Sequence, residues 1–323
     1  MKATYEIDPP EWAETLAVLE STSLPDGPDS VRARVVAVDG NRATLEFPAL
    51  DEPVGLAALL SCIVGEWGDR ADVRRCRLVA VEWPSWLPGN AFAAPVGVQV
   101  GAIVKPAQGL SPAEVAERAA ALARGGAALV KDDELLTDPS ACPLLERVRA
   151  VAATGAFYAA NVTGPTESLL ERAAACVDAG VSALMLNVFV QGLDALRALR
   201  DATFGVPIFA HRVGAAFLVR GERVGVDASV LAELTRSCGA DYVQVGSFTS
   251  RVHDSDDEVR AEIAAARPAV AVIGGGIGPD NAAEQLARAG TREGVMLLLG
   301  SAAYAAADGL EAAVQRTVAA CAS

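Results

Sequence analysis

The stretch VQVGAIVKPAQGLSPAEVAERAAALARGGAALVKDD (98–133) decides the fold class of this chain of 323 residues. Two short apolar runs, 98–105 and 127–133, flank an amphipathic segment that begins with Ser111 and has Glu114 three residues later. That spacing is typical of a capped helix start. The segment ends in glycines, which accept the left-handed conformation that closes a helix. The stretch therefore predicts a strand, a helix and a second strand parallel to the first.

The same alternation continues to the C terminus at a repeat of about 28 residues. Six more apolar runs follow, at 156–162, 181–188, 206–212, 241–247, 269–275 and 295–301. Eight such strands predict an α/β fold, a (β/α)8 TIM barrel. A doubly wound open sheet would have fewer strands and a glycine-rich dinucleotide loop after the first one, and that loop is absent from this sequence.

The chain has a different pattern before residue 95. Strand-like and helix-like segments occur there at 11–20, 32–38, 43–48, 54–68 and 75–83. The segment WPSWLPGNAFAAP (83–95) has no hydrophobic period and is interpreted as a connector. We predict a small α+β (ferredoxin-like) N-terminal domain over 1–95, followed by the barrel over 96–323.

The composition excludes several classes of protein. The chain is 52% hydrophobic, and 41 acidic against 27 basic residues give a net charge of −14. This sign is wrong for a protein that binds nucleic acid or an anionic membrane. No apolar run reaches the roughly 18 residues of a membrane span. The six cysteines have no metal-ligand spacing, and the start lacks an apolar signal segment. We therefore expect reduced thiols in a soluble, cytoplasmic protein.

Lysine is scarce, and its positions are informative. Only three of the 27 basic residues are lysines, namely Lys2, Lys105 and Lys131. The two internal lysines end the first two predicted barrel strands, where the reactive residues of such barrels lie. Arginine can neither accept CO₂ nor shuttle a proton near neutral pH, because its guanidinium stays charged. The two lysines therefore indicate the active site.

The run Lys131-Asp132-Asp133-Glu134 ends the second predicted strand. Side chains alternate along a strand, so Lys131 and Asp133 should face the barrel mouth and Asp132 should face away. Two carboxylates, Asp133 and Glu134, suit a hard cation such as Mg²⁺. A lysine becomes a further ligand only if CO₂ converts its neutral amine into a carbamate. The alternative is an ordinary solvated turn, as charged runs often are.

Polar residues and glycines end the other predicted strands as well. The glycine run IGGGIGPDN (273–281), together with Gly300 and Ser301 after the last strand, predicts backbone N–H groups that bind a phosphate. Arg212, beside His211, is a candidate for the other anionic or carbonyl end of a substrate. Asn161, Asn187, Gln244 and Gly246 end further strands on the same rim.

The segment GAIVKPAQGLSPAEVAERAAALARGGAALVKDDELL (101–136) resembles the RuBisCO large subunit and, more closely, the RuBisCO-like proteins. Further matches are ESTSLP (20–25), SCIVGEWGD (61–69), FYAANVTG (157–164), IFAHR (208–212), ADYVQVGS (240–247) and VIGGGIGPDN (272–281). The resemblance implies that Lys131 is carbamylated and binds Mg²⁺ together with Asp133 and Glu134. It also implies that Lys105 moves protons during enolisation.

The resemblance implies roles for further residues. Arg212, next to His211, corresponds to an arginine that grips a substrate phosphate. Glu20 corresponds to a glutamate that enters the active site of the partner subunit in an antiparallel homodimer. Glu66 is a further acid/base candidate. The substrate-binding candidates are Asn161, Arg212, Gln244, Arg251, Gly275, Gly276, Gly300 and Ser301, and the catalytic candidates are Lys105, Lys131, His211, Glu66 and Glu20.

Five positions depart from the pattern of a carboxylating RuBisCO. Ala107, Gln244 and Arg251 stand where that enzyme has a second lysine, a phosphate-binding histidine and the lysine of a mobile loop. Glu66 replaces an asparagine, and Pro25 stands where a Thr-Trp pair would begin. These departures imply a form IV RuBisCO-like protein that does not carboxylate ribulose bisphosphate.

The implied activity is that of a Mg²⁺-dependent enolase or isomerase. Lys105 or the Lys131 carbamate would remove an α-proton from a ketose-like, phosphorylated substrate and give an enediolate. One alternative is a lyase, a decarboxylase or transcarboxylase acting on an oxo-sugar-acid phosphate. Another is a metal-free Schiff base on Lys105 or Lys131. A third is a member that has lost catalysis and acts as a binding or regulatory protein.

Overall fold

A computed structural model describes residues 1–87, 94–249 and 254–322 of the chain. The chain divides into two compact units, Met1–Gly89 with Gly214–Leu234, and Asn90–Val213 with Thr235–Ser323. The first unit thus includes a segment, Gly214–Leu234, that the predicted boundary at residue 95 assigns to the barrel domain. That boundary stays a prediction.

The N-terminal part of the first unit is an antiparallel sheet with two helices. Its elements are β1 (Lys2–Asp8), α1 (Trp12–Leu19), β2 (Arg34–Asp39), β3 (Arg42–Glu46), α2 (Leu56–Val64) and β4 (Arg75–Glu82), with short 3-10 helices at Pro48–Asp51 and Trp67–Asp69. The strands lie in the order β4-β1-β3-β2, and each neighbouring pair is antiparallel. This βαββαβ arrangement confirms the predicted ferredoxin-like domain.

The central strand β1 was not among the predicted elements. It pairs with both β3 and β4, and Ala3, Tyr5 and Ile7 are buried while the residues between them are partly exposed. The alternation is visible in the sequence KATYEID, although Lys2, Glu6 and Asp8 make its mean hydropathy low. A strand with one face on the core needs only every second residue to be apolar.

The rest of the chain supplies the elements β5 (Val98–Ile103), α3 (Pro112–Arg124), β6 (Leu129–Lys131), α4 (Leu144–Ala152), β7 (Tyr158–Asn161), α5 (Leu169–Asp178), β8 (Ala183–Asn187), α6 (Val188–Gln191), α7 (Leu193–Asp201), β9 (Ile208–His211), α8 (Ala215–Val219), β10 (Val224–Val226), α9 (Ala228–Ser237), β11 (Tyr242–Gln244), α10 (Asp256–Ala266), β12 (Val270–Gly274), α11 (Ala282–Ala289), β13 (Val295–Leu299), α12 (Ser301–Tyr304) and α13 (Leu310–Ala322).

Eight of these strands form a closed parallel barrel in the order β5-β6-β7-β8-β9-β11-β12-β13. The predicted TIM barrel is confirmed, and each strand lies inside its predicted run. The predicted start of α3 is also present, because Ser111 and Glu114 form a capping box. The strands are mostly apolar because a parallel sheet covered by helices is buried on both faces.

The barrel interior is filled by side chains that point inward from alternate strand positions. They include Met185, Phe209 and Met296. Gly101 on β5 makes room for one of them, since a Cβ at that position would lie 2.6 Å from Met296 Sδ. The interior is therefore packed, and the chemistry must lie at an end of the barrel.

The segment after β9 contributes to the first unit. β10 pairs in parallel with β4 and adds a fifth strand to its sheet. Arg77 of β4 fastens this segment, because its guanidinium donates to Asp227 Oδ1 (2.9 Å) and to the carbonyls of Val219 (3.2 Å) and Gly221 (3.0 Å). β10 was not predicted, since a three-residue strand with a central glycine gives no period.

None of the helices in the described ranges is long and apolar enough to cross a membrane. All six cysteines are free thiols.

Candidate active site

The C-terminal ends of β5, β6 and β9 bring charged side chains into direct contact. The Lys105 ammonium, after β5, forms an ion pair with Asp133 Oδ2, after β6. His211 Nε2, at the end of β9, lies 3.4 Å from Glu134 Oε2. Five of the predicted site residues, those four together with Lys131, thus converge on one rim of the barrel.

Lys131 is completely buried at the end of β6. Its Nζ donates to the backbone carbonyl of Asp132 (2.7 Å) and lies 5.6 Å from the centroid of the Phe209 ring. Burial lowers the pKa of the Lys131 ammonium to about 8, and the positive charge of Lys105 acts in the same direction against the nearby carboxylates. A substantial fraction of the Lys131 side chain is therefore a neutral amine at pH 8.

Asp132 points away from the site, as strand alternation predicts. Its buried carboxylate accepts hydrogen bonds from Arg147 Nη2 (3.0 Å), from the Tyr158 hydroxyl and from the backbone N–H of Asn161 (2.9 Å). Arg147 is also fully buried and donates to the Cys142 carbonyl (2.8 Å). This network anchors the residue between Lys131 and Asp133, so both neighbours are held in place.

Two asparagines hold the loop that carries the carboxylates. Asn161 Nδ2 donates to the backbone carbonyl of Glu134 (3.1 Å), and Asn187 Nδ2 donates to the same oxygen (2.9 Å). Asn161 Oδ1 accepts from the Thr163 N–H (3.1 Å). The side chain of Asn161, predicted to bind substrate, is therefore bonded to backbone on both sides. Asn187 Oδ1 is buried and has no partner in the part of the chain that the structure describes.

His211 is held as a neutral imidazole. Its Nδ1 accepts from the Val213 N–H (3.2 Å), so the ring proton is on Nε2, which faces Glu134. Burial lowers the pKa of His211 well below its usual value, and the charges of Lys131 and Arg212 lower it further. His211 is thus placed to donate a hydrogen bond to Glu134.

Arg212 is paired with two carboxylates that were not predicted. Its Nη1 lies 3.2 Å from Asp254 Oδ2 and 3.9 Å from Glu262 Oε2. Burial raises the pKa of Glu262 to about 7. A signal for Glu262 was present in the sequence, because it lies on the apolar face of α10 together with Val259, Ile263 and Ala266. A carboxylate in such a stripe needs a buried cationic partner.

The glycine run after β12 forms an open backbone turn. Gly275 and Gly276 have φ values of 99° and 86°, and their N–H groups have no acceptor among the described residues. Asn281 braces the turn, since its Oδ1 accepts from the Gly278 N–H (2.9 Å) and its Nδ2 donates to the Gly276 carbonyl (3.0 Å). Gly300 and Ser301 follow β13 at the start of α12.

The remaining predicted residues lie in three places. Gln244 ends β11, and its buried Oε1 has no partner within the described ranges. Glu20 and Glu66 belong to the first unit, where the Glu66 N–H donates to Glu20 Oε1 (3.1 Å) and both line a cavity of about 610 Å³. Arg251 lies outside the described residues.

A model of the ribulose bisphosphate carboxylase large chain, catalytic domain, matches residues 89–272. A RuBisCO-like protein of Allochromatium vinosum is 38% identical over 169 residues, which are 49% of this chain and 37% of the relative. A 2,3-diketo-5-methylthiopentyl-1-phosphate enolase of Geobacillus thermodenitrificans is 34% identical over 221 residues, 62% of this chain and 54% of the relative. A 3-oxo-isoapionate-4-phosphate transcarboxylase/hydrolase of Xanthobacter autotrophicus is 29% identical over 280 residues, 79% and 66% of the two chains.

Solved structures match over nearly the whole chain. The octameric RuBisCO of Pyrococcus horikoshii has a TM-score of 0.88 at 25% identity and is matched over 99% of this chain and 89% of its own. A RuBisCO-like protein of Rhodopseudomonas palustris has a TM-score of 0.82 at 25% identity, with 99% and 97% covered. The chain spans between about a third and two thirds of the length of the first curated relatives, from 37% to 66%.

Proposed function

Because the chain belongs to the family of ribulose bisphosphate carboxylase large chains, we propose that it is a RuBisCO-like enolase or isomerase that does not fix CO₂ on ribulose bisphosphate. The carrying observation is the contact of Lys105 with Asp133 at the rim, directly beside the buried Lys131. The substrate would be a ketose-like phosphate. The named activity of the Geobacillus relative, an enolase acting on a phosphorylated diketone, supports this class of reaction.

The exposures of the two lysines favour different roles. Lys105 keeps 30% of its side-chain surface exposed at the barrel mouth and can reach a bound substrate. Lys131 has none exposed. We assign proton transfer to Lys105, which would remove the α-proton and return it to another atom of the enediolate. Lys131, which is buried, would act as a metal ligand after conversion to a carbamate.

The oxygen donors of the site fit a Mg²⁺ ion if Lys131 is carbamylated. Asp133 and Glu134 offer two carboxylates, and the described residues contain no cluster of three or more His, Cys, Asp or Glu that could hold a metal. A carbamate on Lys131, formed when the neutral amine adds CO₂ and releases a proton, would provide the third oxygen donor. A bound Mg²⁺ would supply the positive charge that stabilises an enediolate. His211 would orient Glu134 through its Nε2–H, as a residue behind a metal ligand does.

Substrate binding is assigned to the rest of the rim. The open N–H groups of Gly275 and Gly276, with Gly300 and Ser301, would bind the phosphate, and Gln244 would contribute its amide. The departures at Ala107 and Glu66 remove side chains that a carboxylating enzyme uses, which supports the assignment to the non-carboxylating branch.

The test is exchange of the substrate α-proton in deuterated water. We expect the wild type with Mg²⁺ and bicarbonate to exchange deuterium into 2,3-diketo-5-methylthiopentyl 1-phosphate, followed by NMR, and Lys131→Ala to lose the exchange at least 100-fold. Lys2→Ala, which alters the remaining lysine at the far end of the chain, is the matched control. Full deuterium exchange in a folded Lys131→Ala variant would contradict the proposal that Lys131 is carbamylated.

The long alignment with the Xanthobacter enzyme favours a second candidate, a decarboxylase or transcarboxylase acting on an oxo-sugar-acid phosphate. Release of ¹³CO₂ from a carboxyl-labelled 3-oxo-sugar-acid phosphate would identify it. Trapping with borohydride separates both reactions from a Schiff base on Lys105 or Lys131. A protein without exchange, release or trapping, with an EDTA-insensitive melting temperature, would be a binding protein.

We also propose an antiparallel homodimer in which Glu20 and Glu66 serve the partner's active site. The octameric assembly named for the Pyrococcus relative supports an oligomer of this family. A cytoplasmic location is proposed on the six free thiols, which are typical of a reducing compartment.

A further inference from the structure

Arg212, which follows β9, lies in an acidic environment. Its guanidinium is held between Asp254 and Glu262, and each of these carboxylates has only 4% of its side chain exposed. Arg212 itself is 19% exposed. We would expect an arginine that binds a substrate phosphate to face an open pocket. Arg212 instead has two carboxylates of the chain as its partners.

The backbone donors beside Arg212 are engaged by the same carboxylates. The Gly246 N–H donates to Glu262 Oε2 (3.1 Å), and the Ser247 N–H donates to Asp254 Oδ2 (3.3 Å). These two N–H groups follow directly after β11 and would otherwise be available to an anion. Three donors at this corner of the barrel are therefore occupied by carboxylate oxygens.

The carboxylates also fill the space. A Cβ at Gly246 would lie 2.6 Å from Asp254 Oδ2 and 3.0 Å from Glu262 Oε1. The nearby strand end contributes Gln244, an uncharged amide. A phosphate dianion brought to this corner would meet two carboxylates at close range in a partly buried site, where repulsion between like charges is strong.

The neighbouring corner of the rim, after β12, has the opposite character. The N–H groups of Gly275 and Gly276 have no acceptor in the described part of the chain. The carbonyl of Gly275 accepts from Ser247 Oγ (3.2 Å), and Gly275 itself is exposed. Among the described residues, the glycine run after β12 therefore offers open N–H donors to a phosphate, whereas the Gly246 and Ser247 N–H groups beside Arg212 are engaged by carboxylates.

We propose that Asp254 and Glu262 are specificity-determining residues, which neutralise Arg212 so that the enzyme selects a substrate with a single phosphate and an uncharged opposite end. This inference rests on the proposed function for the location of the substrate. Rejection works through an unfavourable charge, a common way to exclude a competing ligand.

The test measures binding and needs no turnover. Isothermal titration at pH 8, with Mg²⁺ and bicarbonate, would compare ribulose 5-phosphate with ribulose 1,5-bisphosphate. Burial raises the pKa of Glu262 to about 7, so the carboxylate is ionised at this pH. We expect the wild type to bind the bisphosphate no more than threefold more tightly than the monophosphate.

The double variant Asp254→Asn/Glu262→Gln removes both charges and keeps the shapes of the side chains. We expect its affinity for the bisphosphate to rise at least tenfold, its affinity for the monophosphate to stay within threefold, and the gain to vanish when Arg212→Ala is added. Asp257→Asn, on the exposed face of the same helix, is the control and should leave the ratio unchanged. Melting temperatures verify that each variant is folded.

Two results would overturn the proposal. One is a wild type that already prefers the bisphosphate tenfold or more, and the other is a folded double variant without an Arg212-dependent gain. If neither sugar binds the wild type, the affinities of the wild type and the double variant for inorganic phosphate are compared instead. A double variant without an Arg212-dependent gain in that affinity again overturns the proposal. Absence of deuterium exchange would contradict the proposed function and leave this binding ratio untouched.

Discussion

At the scale of the residue, Lys131 has an environment that favours the neutral amine. It lies against Phe209 and Met185, and the oxygen acceptor of its ammonium within the described residues is the backbone carbonyl of Asp132. Addition of CO₂ requires that neutral form, so the burial that makes a lysine ammonium costly also makes this lysine reactive. Lys105, at the mouth, has a carboxylate partner instead.

The lowered pKa of Lys131 predicts how activation depends on pH. With a pKa of about 8, the neutral fraction is about one tenth at pH 7 and about nine tenths at pH 9. We expect preincubation at constant dissolved CO₂ to activate deuterium exchange increasingly from pH 7 to pH 9, when all samples are then assayed at one pH. Lys2→Ala should give the same profile. Equal activation at pH 7 and pH 9 would contradict the assignment.

The lowered pKa of Lys131 also makes the free energy of unfolding depend on pH in a defined direction. Between pH 8 and 10.5 the folded chain binds fewer protons at Lys131 than the unfolded chain does. The contribution of Lys131 to the free energy of unfolding therefore rises with pH in that window.

At the scale of the element, helix α4 supports the strands that carry the site. Arg147 of α4 reaches Asp132 at the end of β6 and the hydroxyl of Tyr158 on β7 (3.1 Å). The loop after β6 is thus held from behind by a helix and from the side by Asn161 and Asn187. The backbone of 131–134 is therefore supported by hydrogen bonds from two directions.

Loss of this anchor should be costly. Arg147→Ala leaves the Asp132 carboxylate buried without its guanidinium, so we expect the free energy of unfolding to fall by about 3–5 kcal/mol, measured by urea denaturation. Arg149→Ala removes an exposed arginine from the same helix and should change it by less than about 0.5 kcal/mol. Equal effects of the two substitutions would show that the buried Arg147–Asp132 pair contributes no more to the free energy of unfolding than an exposed arginine does.

At the scale of the whole molecule, the proposed catalytic groups belong to two units. Lys105, Lys131 and their partners lie on the barrel, whereas Glu20 and Glu66 lie together in the first unit. In the proposed homodimer an active site needs the barrel of one subunit and the glutamates of the other. Variants in the two sets should then complement each other.

Mixing provides the test of that arrangement. We expect Glu20→Gln and Lys131→Ala to be inactive alone and to recover about a quarter of wild-type activity after subunit exchange, because half of the dimers are mixed and each has one intact site. A mixture of Glu20→Gln with Glu66→Gln should stay inactive. Mixed dimers that are detected by native mass spectrometry and yet show no activity would contradict shared sites.

The sequence by itself determined the barrel and the rim on which its polar residues collect. Runs of buried apolar residues recur along the chain, and each is followed by its polar residue. Because the C-terminal ends of parallel strands meet at one edge, Lys105, Lys131, Asp133, Glu134 and His211 had to lie on the same rim. This inference needs only local periodicity and the direction of the strands.

Only the tertiary structure decided which partner each polar side chain has. Arg212 and Asp254 are 42 residues apart, and Asn161 reaches a carbonyl 27 residues away. The addition of β10 to the sheet of β1 likewise joins segments distant in the chain. Such pairings depend on closure of the barrel and on long-range packing, which no local pattern records. The two lysines were therefore predictable, whereas the pairing of Asp254 and Glu262 with Arg212 was not.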